Sequence, residues 1–405
     1  MAWNNVFLRN KFILYGLGIS NQKVEQFFIE NSIDYLIVLD DYDLNEDYVI
    51  IKSPGIPNNT YFLKKCIKKN LLIINDIELF YLLRPKIKYI GITGTCGKTT
   101  TCTLLYNIMK EKFKVELCGN IGIPIFTYIN EEVEYLIVEL SSYQLEYINN
   151  FRPNYYIILN VYSHHLNHHL NYENYLNAKL KPIHNLKEED YLIINKSLYN
   201  NISNHEIKSK VFTFSSAIIS DLFTNNQYLS YKFNKENFSS IYVLLNLLNF
   251  SNDIILTELE KFTNLPYRME QLVNNGKLVV INDSKSTCFN SLIAAIDYCR
   301  DVFKSYSLTI IIGGKIDLEE IRENILSIKS LNQYFVYCYG ENRFLINKII
   351  DCKIYNTLEE VINDLEVINQ QVILFSPAAQ SLDQFKSFEE RGLIFKNLIF
   401  KKLNL

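Results

Sequence analysis

Residues 91–100 read Gly91-Ile92-Thr93-Gly94-Thr95-Cys96-Gly97-Lys98-Thr99-Thr100, and the fold turns on this stretch. Lys88-Tyr89-Ile90 leads in as a β-strand, and Leu104, Leu105 and Ile108 continue from Thr99 to Lys112 at helical spacing. A glycine-rich turn between strand and helix aims backbone N–H groups at an anion, and the helix N-terminus adds partial positive charge. Lys98 supplies a full charge for outer phosphates, and Thr99 a hydroxyl for Mg²⁺. The stretch reads as a P-loop for ATP or GTP in the variant form TGTxGKTT, with Gly94, Thr95, Cys96, Gly97, Lys98, Thr99 and Thr100 as phosphate contacts. The alternative is a capped surface turn.

Outward from this loop the chain alternates strands and helices. On the N-terminal side, Phe12–Tyr15 reads as a strand, followed by Gly16-Leu17-Gly18-Ile19-Ser20 and a helix burying Val24, Phe27 and Phe28. Further strands are expected at Tyr35–Leu39, Tyr48–Ile51 and Leu71–Ile74. The second strand ends at Asp40, an acid placed as a ribose contact would be. Asn21 stands where a dinucleotide fingerprint has its third glycine, so the loop fits either a bound nucleotide or a plain tight turn.

On the C-terminal side, Tyr135–Leu140 reads as a strand with Glu139 near its carboxyl end. Ligands of parallel sheets sit at that edge, so Glu139 is read as a Mg²⁺ carboxylate; a plain surface glutamate is the alternative. Tyr155–Leu159 is another strand, and Asn160–His169 after it holds four of the six histidines. A zinc site is disfavoured because no cysteine is near and the spacing matches no usual zinc signature. The stretch reads as a polar loop with most rings solvated, or as one in which a single ring ligates an ion at the sheet edge. A helix with apolar face Tyr175, Ala178 and Ile183 carries Lys179. Residues 205–232 are poorly patterned, with a small β excursion expected, and Phe233 opens an apolar helix to Phe250. From about residue 265 the alternation restarts, with strands Leu278–Asn282, Ser307–Ile312, Tyr334–Tyr339 and Val372–Phe375 each ending in a loop of small and polar residues.

The bulk numbers agree with an α/β protein of several domains. The chain has 405 residues, 48% of them hydrophobic, enough for two or three cores. Its 41 basic and 44 acidic residues leave a net charge of −3, which gives no footprint for nucleic acid. No apolar run reaches bilayer length, and the start MAWNNVFLRN lacks a signal-peptide core, so a cytoplasmic protein with no membrane span is expected. The eight cysteines form no CxxC pair, as suits free thiols in a reducing compartment.

Taken in order, these segments resemble the Mur ligase family, the ATP-dependent amide-forming enzymes of peptidoglycan precursor synthesis for the bacterial cell wall. The likeness rests on GLGIS at 16, SPGIP at 53, DIELF at 76, TGTCGKTT at 93, GNIGIP at 119, ELSSYQLE at 139, AKLKPI at 178, LPYRME at 265, NDSKST at 282 and SPAAQSLDQFKSFEERG at 376. It covers nearly the whole chain and points to the branch that joins D-glutamate to UDP-N-acetylmuramoyl-L-alanine. The resemblance implies a three-domain Mur ligase architecture: a Rossmann-like N-terminal domain (1–86) for the UDP-sugar, a central P-loop ATPase domain (87–264), and a Rossmann-like C-terminal domain (265–405) for the amino acid. It implies ATP and Mg²⁺, small-molecule substrates, and a monomer.

By the same resemblance Lys98, Glu139, His165, Lys179 and Lys285 are catalytic. Mg²⁺ falls to Thr99, Glu139, His165 and Lys179, the last as a carbamate, since a CO₂ adduct turns a repelled cation into an anionic oxygen ligand. An ordinary salt-bridged lysine is the alternative at Lys179. Asn237, Arg268 and Asp283 complete the ATP contacts. Ser20, Asp40, Asn120, Ser141 and Gln144 lie along the UDP-sugar, and Thr287, Lys315, Ser381 and Phe388, with Lys285, surround D-glutamate. The chain departs from the family at Cys96 (usually Asn), at His164 and Asn167 (usually Asp), at Tyr267 (usually His) and at Cys288 (usually Asn). Cys96 predicts a looser nucleotide turn, because a thiol is a poorer hydrogen-bond partner than an amide. An active, slower ligase is expected. A catalytically weakened nucleotide-binding descendant and a sister amide ligase with another amino acid are the alternatives. A GTPase or kinase reading lacks its guanine-reading motif, since Asn195-Lys196-Ser197-Leu198 has no Asp.

Overall fold

A computed structural model describes residues 11–203, 205–219, 226, 228, 231–316 and 318–405. The start of the chain, most of the interior of the poorly patterned stretch and the side chain of Asn167 lie outside the described residues. Among the described residues there are three sheets. The first holds β1 (Lys11–Tyr15), β2 (Tyr35–Val38), β3 (Tyr48–Lys52) and β4 (Ile73–Ile74) in the order β2-β1-β3-β4, all parallel. The second holds β5 (Lys88–Thr93), β6 (Val115–Gly119), β7 (Tyr135–Leu140), β8 (Tyr155–Ile158), β9 (Tyr191–Asn195) and β10 (Lys210–Phe214). Its order is β10-β9-β8-β5-β7-β6, again all parallel. The third holds β11 (Glu270–Asn274), β12 (Leu278–Asn282), β13 (Ser307–Gly313), β14 (Phe335–Tyr339), β15 (Lys353–Tyr355) and β16 (Gln371–Phe375). Its order is β11-β12-β16-β13-β14-β15, with only β11 antiparallel to its neighbour.

Strands such as Tyr135–Leu140 and Gln371–Phe375 are buried along their whole length. That is what sheets covered on both faces by helices require, and it is why they read as continuous apolar runs. Chain contacts divide the protein into two compact units. One contains residues 1–161, 168–221 and 236–258 and therefore both of the first two sheets; the other contains 162–167, 222–235 and 259–405.

In the first unit one apolar cluster runs from Phe12 and Phe28 through Phe80, Tyr89 and Phe126 to Leu192 and Ile202, and a second includes Ile13, Tyr15, Ile50, Phe62 and Leu63. Phe27 and Phe80 both meet the Phe126 ring, at 5.4 and 5.6 Å between centroids. The third sheet has its own cluster, including Val280, Ile311, Ile373, Phe375 and Phe395. The expected β excursion in 205–232 is β10 within its described part. The helix bearing Lys179 ends at Leu180, and Ile183 lies in the 3-10 turn that follows across Pro182.

Candidate active site

The nucleotide loop is built as its sequence requires. β5 ends at Thr93, Gly97 takes φ +85°, and the helix Lys98–Met109 starts immediately. The positive φ is open to glycine at little cost, and a Cβ at Gly97 would sit 2.3 Å from Asn237 Oδ1. Asn237 is 1% exposed, and neither its Oδ1 nor its Nδ2 has a hydrogen-bond partner. A buried amide left unpaired against a phosphate-type loop marks a place for ligand contact.

Asn160 clamps the loop. Its Oδ1 accepts from the amides of Thr95 (3.1 Å) and Cys96 (2.9 Å), and its Nδ2 donates to Cys96 O (3.2 Å). The turn at Cys96 is thus held through its backbone by Asn160. It also commits two of the amides expected to face an anion, leaving that task to the first helical turn, where α-helices have unpaired N–H groups. Lys98 Nζ donates to the carbonyls of Gly94 (2.7 Å) and Thr95 (2.9 Å).

Glu139 pairs in register with Ile92 on the neighbouring strand and is 1% exposed, so the surface-glutamate alternative fails. Asn120 donates to its Oε1 (3.1 Å), while its Oε2 is buried with no hydrogen-bond partner. Lys179 is 1% exposed and donates to Thr93 Oγ1 (3.3 Å) and Gly94 O (3.0 Å). No carboxylate pairs with it among the described residues, which removes the salt-bridge alternative. Burial, followed by repulsion from Lys98, pushes its ammonium well below the usual lysine range.

Of the residues expected along the UDP-sugar, Ser20 and Asp40 follow β1 and β2 at the carboxyl edge of the first sheet. Ser141 and Gln144 form a capping box on the helix Ser142–Leu145. Asn21 answers why the third glycine is missing: its buried amide donates to Gly16 O (2.7 Å), Ile51 O (3.0 Å) and Tyr15 O (3.4 Å).

The histidine stretch differs most from expectation. His164 is 5% and His169 3% exposed, and Leu166–His169 is a short helix, so the solvated-loop reading is corrected. The partners come from far away in sequence, where no local pattern reveals them. In the second unit His164 Nδ1 lies 2.7 Å from Glu320 Oε1, which also accepts from the His165 amide (3.1 Å). His165 itself takes φ +57°. In the first unit His168 and His169 both meet Glu146, at 2.8 and 3.0 Å.

The remaining candidates lie in the second unit. Asp283 follows β12 and accepts from the Met269 amide (3.1 Å) and Ser376 Oγ (2.8 Å). Burial raises its carboxyl to about 7 against these bonds and the nearby Arg268 charge. Lys285 Nζ stands 3.6 Å over the Phe388 ring. Lys315 and Gln380 exchange backbone hydrogen bonds, each 3.0 Å, which brings Lys315 beside Ser381. Thr287 follows Lys285 in the loop after β12.

Sequence reading passed over Arg391, which is fully buried and donates to Ser284 Oγ (3.1 Å) and Ser284 O (2.6 Å). It knits the loop after β12 to the helix Phe388–Leu403, where Ser284 Oγ also donates to Phe388 O (2.8 Å). Its charge inside a quoted motif was the available signal. Tyr267 in place of His packs its ring against Gly392, where a Cβ would come within 2.3 Å of it.

Comparison with known proteins decides the family. Residues 92–252 match the Mur ligase middle domain. UDP-N-acetylmuramoylalanine–D-glutamate ligase from Aquifex aeolicus is 33% identical over 96% of this chain and 98% of its own length. The chain belongs to the Mur ligase family. The enzyme of the same name from Buchnera aphidicola is 31% identical, covering 97% of this chain and 98% of its own. Among solved Mur ligases, MurF from Acinetobacter baumannii aligns over 96% of this chain and 90% of its own with TM-score 0.67 at 14% identity. MurF from Thermotoga maritima, solved with ADP, aligns over 98% and 99% with TM-score 0.65 at 16% identity. These solved Mur ligases share the fold, and membership makes the chain an ATP-dependent amide-forming ligase.

Proposed function

We propose that the chain joins D-glutamate to UDP-N-acetylmuramoyl-L-alanine in cytoplasmic peptidoglycan precursor synthesis, acting as a monomer with segments 1–86, 87–264 and 265–405 serving the UDP-sugar, ATP and the amino acid. The observation that carries this reading is the polar cluster at the carboxyl edge of the second sheet, where Lys98, Lys179 and the unpaired Glu139 oxygen surround a glycine turn. The substrate carboxylate attacks the γ-phosphorus of ATP; a C–O–P link forms, the bridging P–O bond breaks, and ADP leaves. The amine of D-glutamate then attacks the acyl carbon, phosphate departs, and an amide remains. Such chemistry needs positioning and charge neutralisation more than covalent help.

Lys98 meets the β- and γ-phosphates, with Asn237 on the adenine side and Arg268 and Asp283 at the γ-phosphate and ribose. Thr99 and Glu139 are suited to hold Mg²⁺, since a buried carboxylate oxygen without a donor fits a cation. His165 and a carbamylated Lys179 serve a second Mg²⁺. Bound Mg²⁺ neutralises phosphate charge. Burial keeps the Lys179 amine short of protons, the form that adds CO₂. Ser20, Asp40, Asn120, Ser141 and Gln144 contact the UDP-sugar, and Lys285, Thr287, Lys315, Ser381 and Phe388 contact D-glutamate, whose two carboxylates suit two lysines.

The test is phosphate release from MgATP with UDP-N-acetylmuramoyl-L-alanine, with and without D-glutamate, using L-glutamate and glycine as controls. Release only with D-glutamate, with a new UDP-linked product, is expected. Nucleotide binding without release transfers the chain to the weakened-descendant reading, and release with another amino acid to the sister-ligase reading.

A further inference from the structure

We propose that Glu146, His168 and His169 form a binding site for one zinc-like transition-metal ion, separate from the ATP and Mg²⁺ residues. The inference is independent of which amino acid the enzyme adds. One ligand atom from each of the three side chains lies within 4.8 Å of the others. Glu146 Oε2 is 2.8 Å from His168 Nε2, and Oε1 is 3.0 Å from His169 Nδ1. Donors of a tetrahedral zinc site stand about 3.3 Å apart, so the two histidine–carboxylate gaps need only open by a few tenths of an ångström, while the three ligand atoms together already lie within 4.8 Å.

The donor chemistry is selective. Two imidazoles and one carboxylate are borderline ligands that suit Zn²⁺, Co²⁺ or Ni²⁺, whereas Mg²⁺ and Ca²⁺ favour oxygen alone. Two imidazoles, one carboxylate and a fourth position for water make a familiar zinc set. The supporting contacts match it too. His169 Nε2 lies 2.9 Å from Ser142 Oγ, so with Nδ1 on the metal, Nε2–H donates to the serine and fixes the ring. Asn58 Nδ2 donates to Glu146 Oε2 (2.8 Å), and Asn58 Oδ1 accepts from Tyr147 OH (2.7 Å). The His168 and Glu146 side chains are 10% and 20% exposed, which leaves an entry path. An ion here would tie His168 and His169 to the helix Ser142–Leu145. The alternative occupant of the same atoms is a proton: two imidazoles bridged by a carboxylate and no metal.

Sequence spacing hides this site because adjacent histidines form no zinc signature and the carboxylate lies 22 residues upstream. The test is titration of the chelator-treated full-length protein with Co²⁺ alone in millimolar Mg²⁺, which fills oxygen-type sites. Visible absorption is followed, and the melting temperature is followed in a parallel Zn²⁺ series. One equivalent binding with visible bands is expected, with a chelator-reversible rise in melting temperature under Zn²⁺. Binding should be lost in His168→Asn and Glu146→Gln. Ser142→Ala, a mild change outside the ligand set, should bind about tenfold more weakly. No Co²⁺ uptake by the wild type, or uptake unchanged in Ser142→Ala and in whichever ligand variants fold by circular dichroism, overturns the proposal.

Discussion

Lys98 donates to two carbonyls of its own loop, so removing it strips charge from the phosphate site and also takes a donor from those carbonyls. Lys98→Met is expected to cut kcat by about 10²–10³-fold, as loss of a preorganised charge at a developing anion does, with only a small drop in the circular dichroism melt because Asn160 still clamps the loop. Asn160→Ala should behave differently. It removes the acceptor for two loop amides and should cost about 1–3 kcal/mol in denaturant unfolding while raising the KM for ATP. Asp76 supplies a pH test. It is buried at the start of the helix Asp76–Leu83, and desolvation raises its carboxyl from 3.8 to about 6, against hydrogen bonds that include one from Ser20. The folded state therefore binds this proton more tightly than the unfolded one. Its contribution is full below pH about 4 and is lost as pH rises through about 6. Asp76→Asn should remove that downward slope, worth up to about 3 kcal/mol, in urea midpoints measured from pH 4 to 7.

At the level of elements, the parallel strands and the nucleotide loop were legible because both are local patterns. Apolar runs such as Tyr135–Leu140 and Leu278–Asn282 agree with the observed strands end to end. Strands β6, β9, β11 and β15 were not placed, and the last two are partly or largely exposed, so they carry no continuous apolar signal. The side-chain partnerships were illegible for another reason. Glu320 to His164 spans 156 residues and Arg391 to Ser284 spans 107, and no single-sequence pattern encodes such pairs. Arg391 shows what such a pair does for an element. It anchors the helix Phe388–Leu403 to the loop after β12, beside Lys285 and Phe388. Arg391→Met should lower stability by about 3 kcal/mol through the donors' orphaned partners and raise the KM for D-glutamate more than that for ATP, as steady-state kinetics would register.

Across the whole molecule, one apolar cluster joins the first two sheets, a second, around Ile13, Ile50 and Phe62, belongs to the first sheet, and the third sheet has another, with no residue shared among them. Calorimetric unfolding should therefore resolve into more than one transition, with the van't Hoff enthalpy below the calorimetric value. A single two-state peak would mean that the clusters melt as a unit. The shared cluster has a further consequence, for synthesis on the ribosome. Phe27 and Phe80 find part of their cover on the Phe126 ring, which is made only after the first sheet. At about 5–20 residues per second, the roughly 52 residues between Ile74, where the first sheet ends, and Phe126 take on the order of 3–10 s to emerge. Through that interval the nascent N-terminal segment is an unfinished apolar surface of the kind that a chaperone on the growing chain can hold.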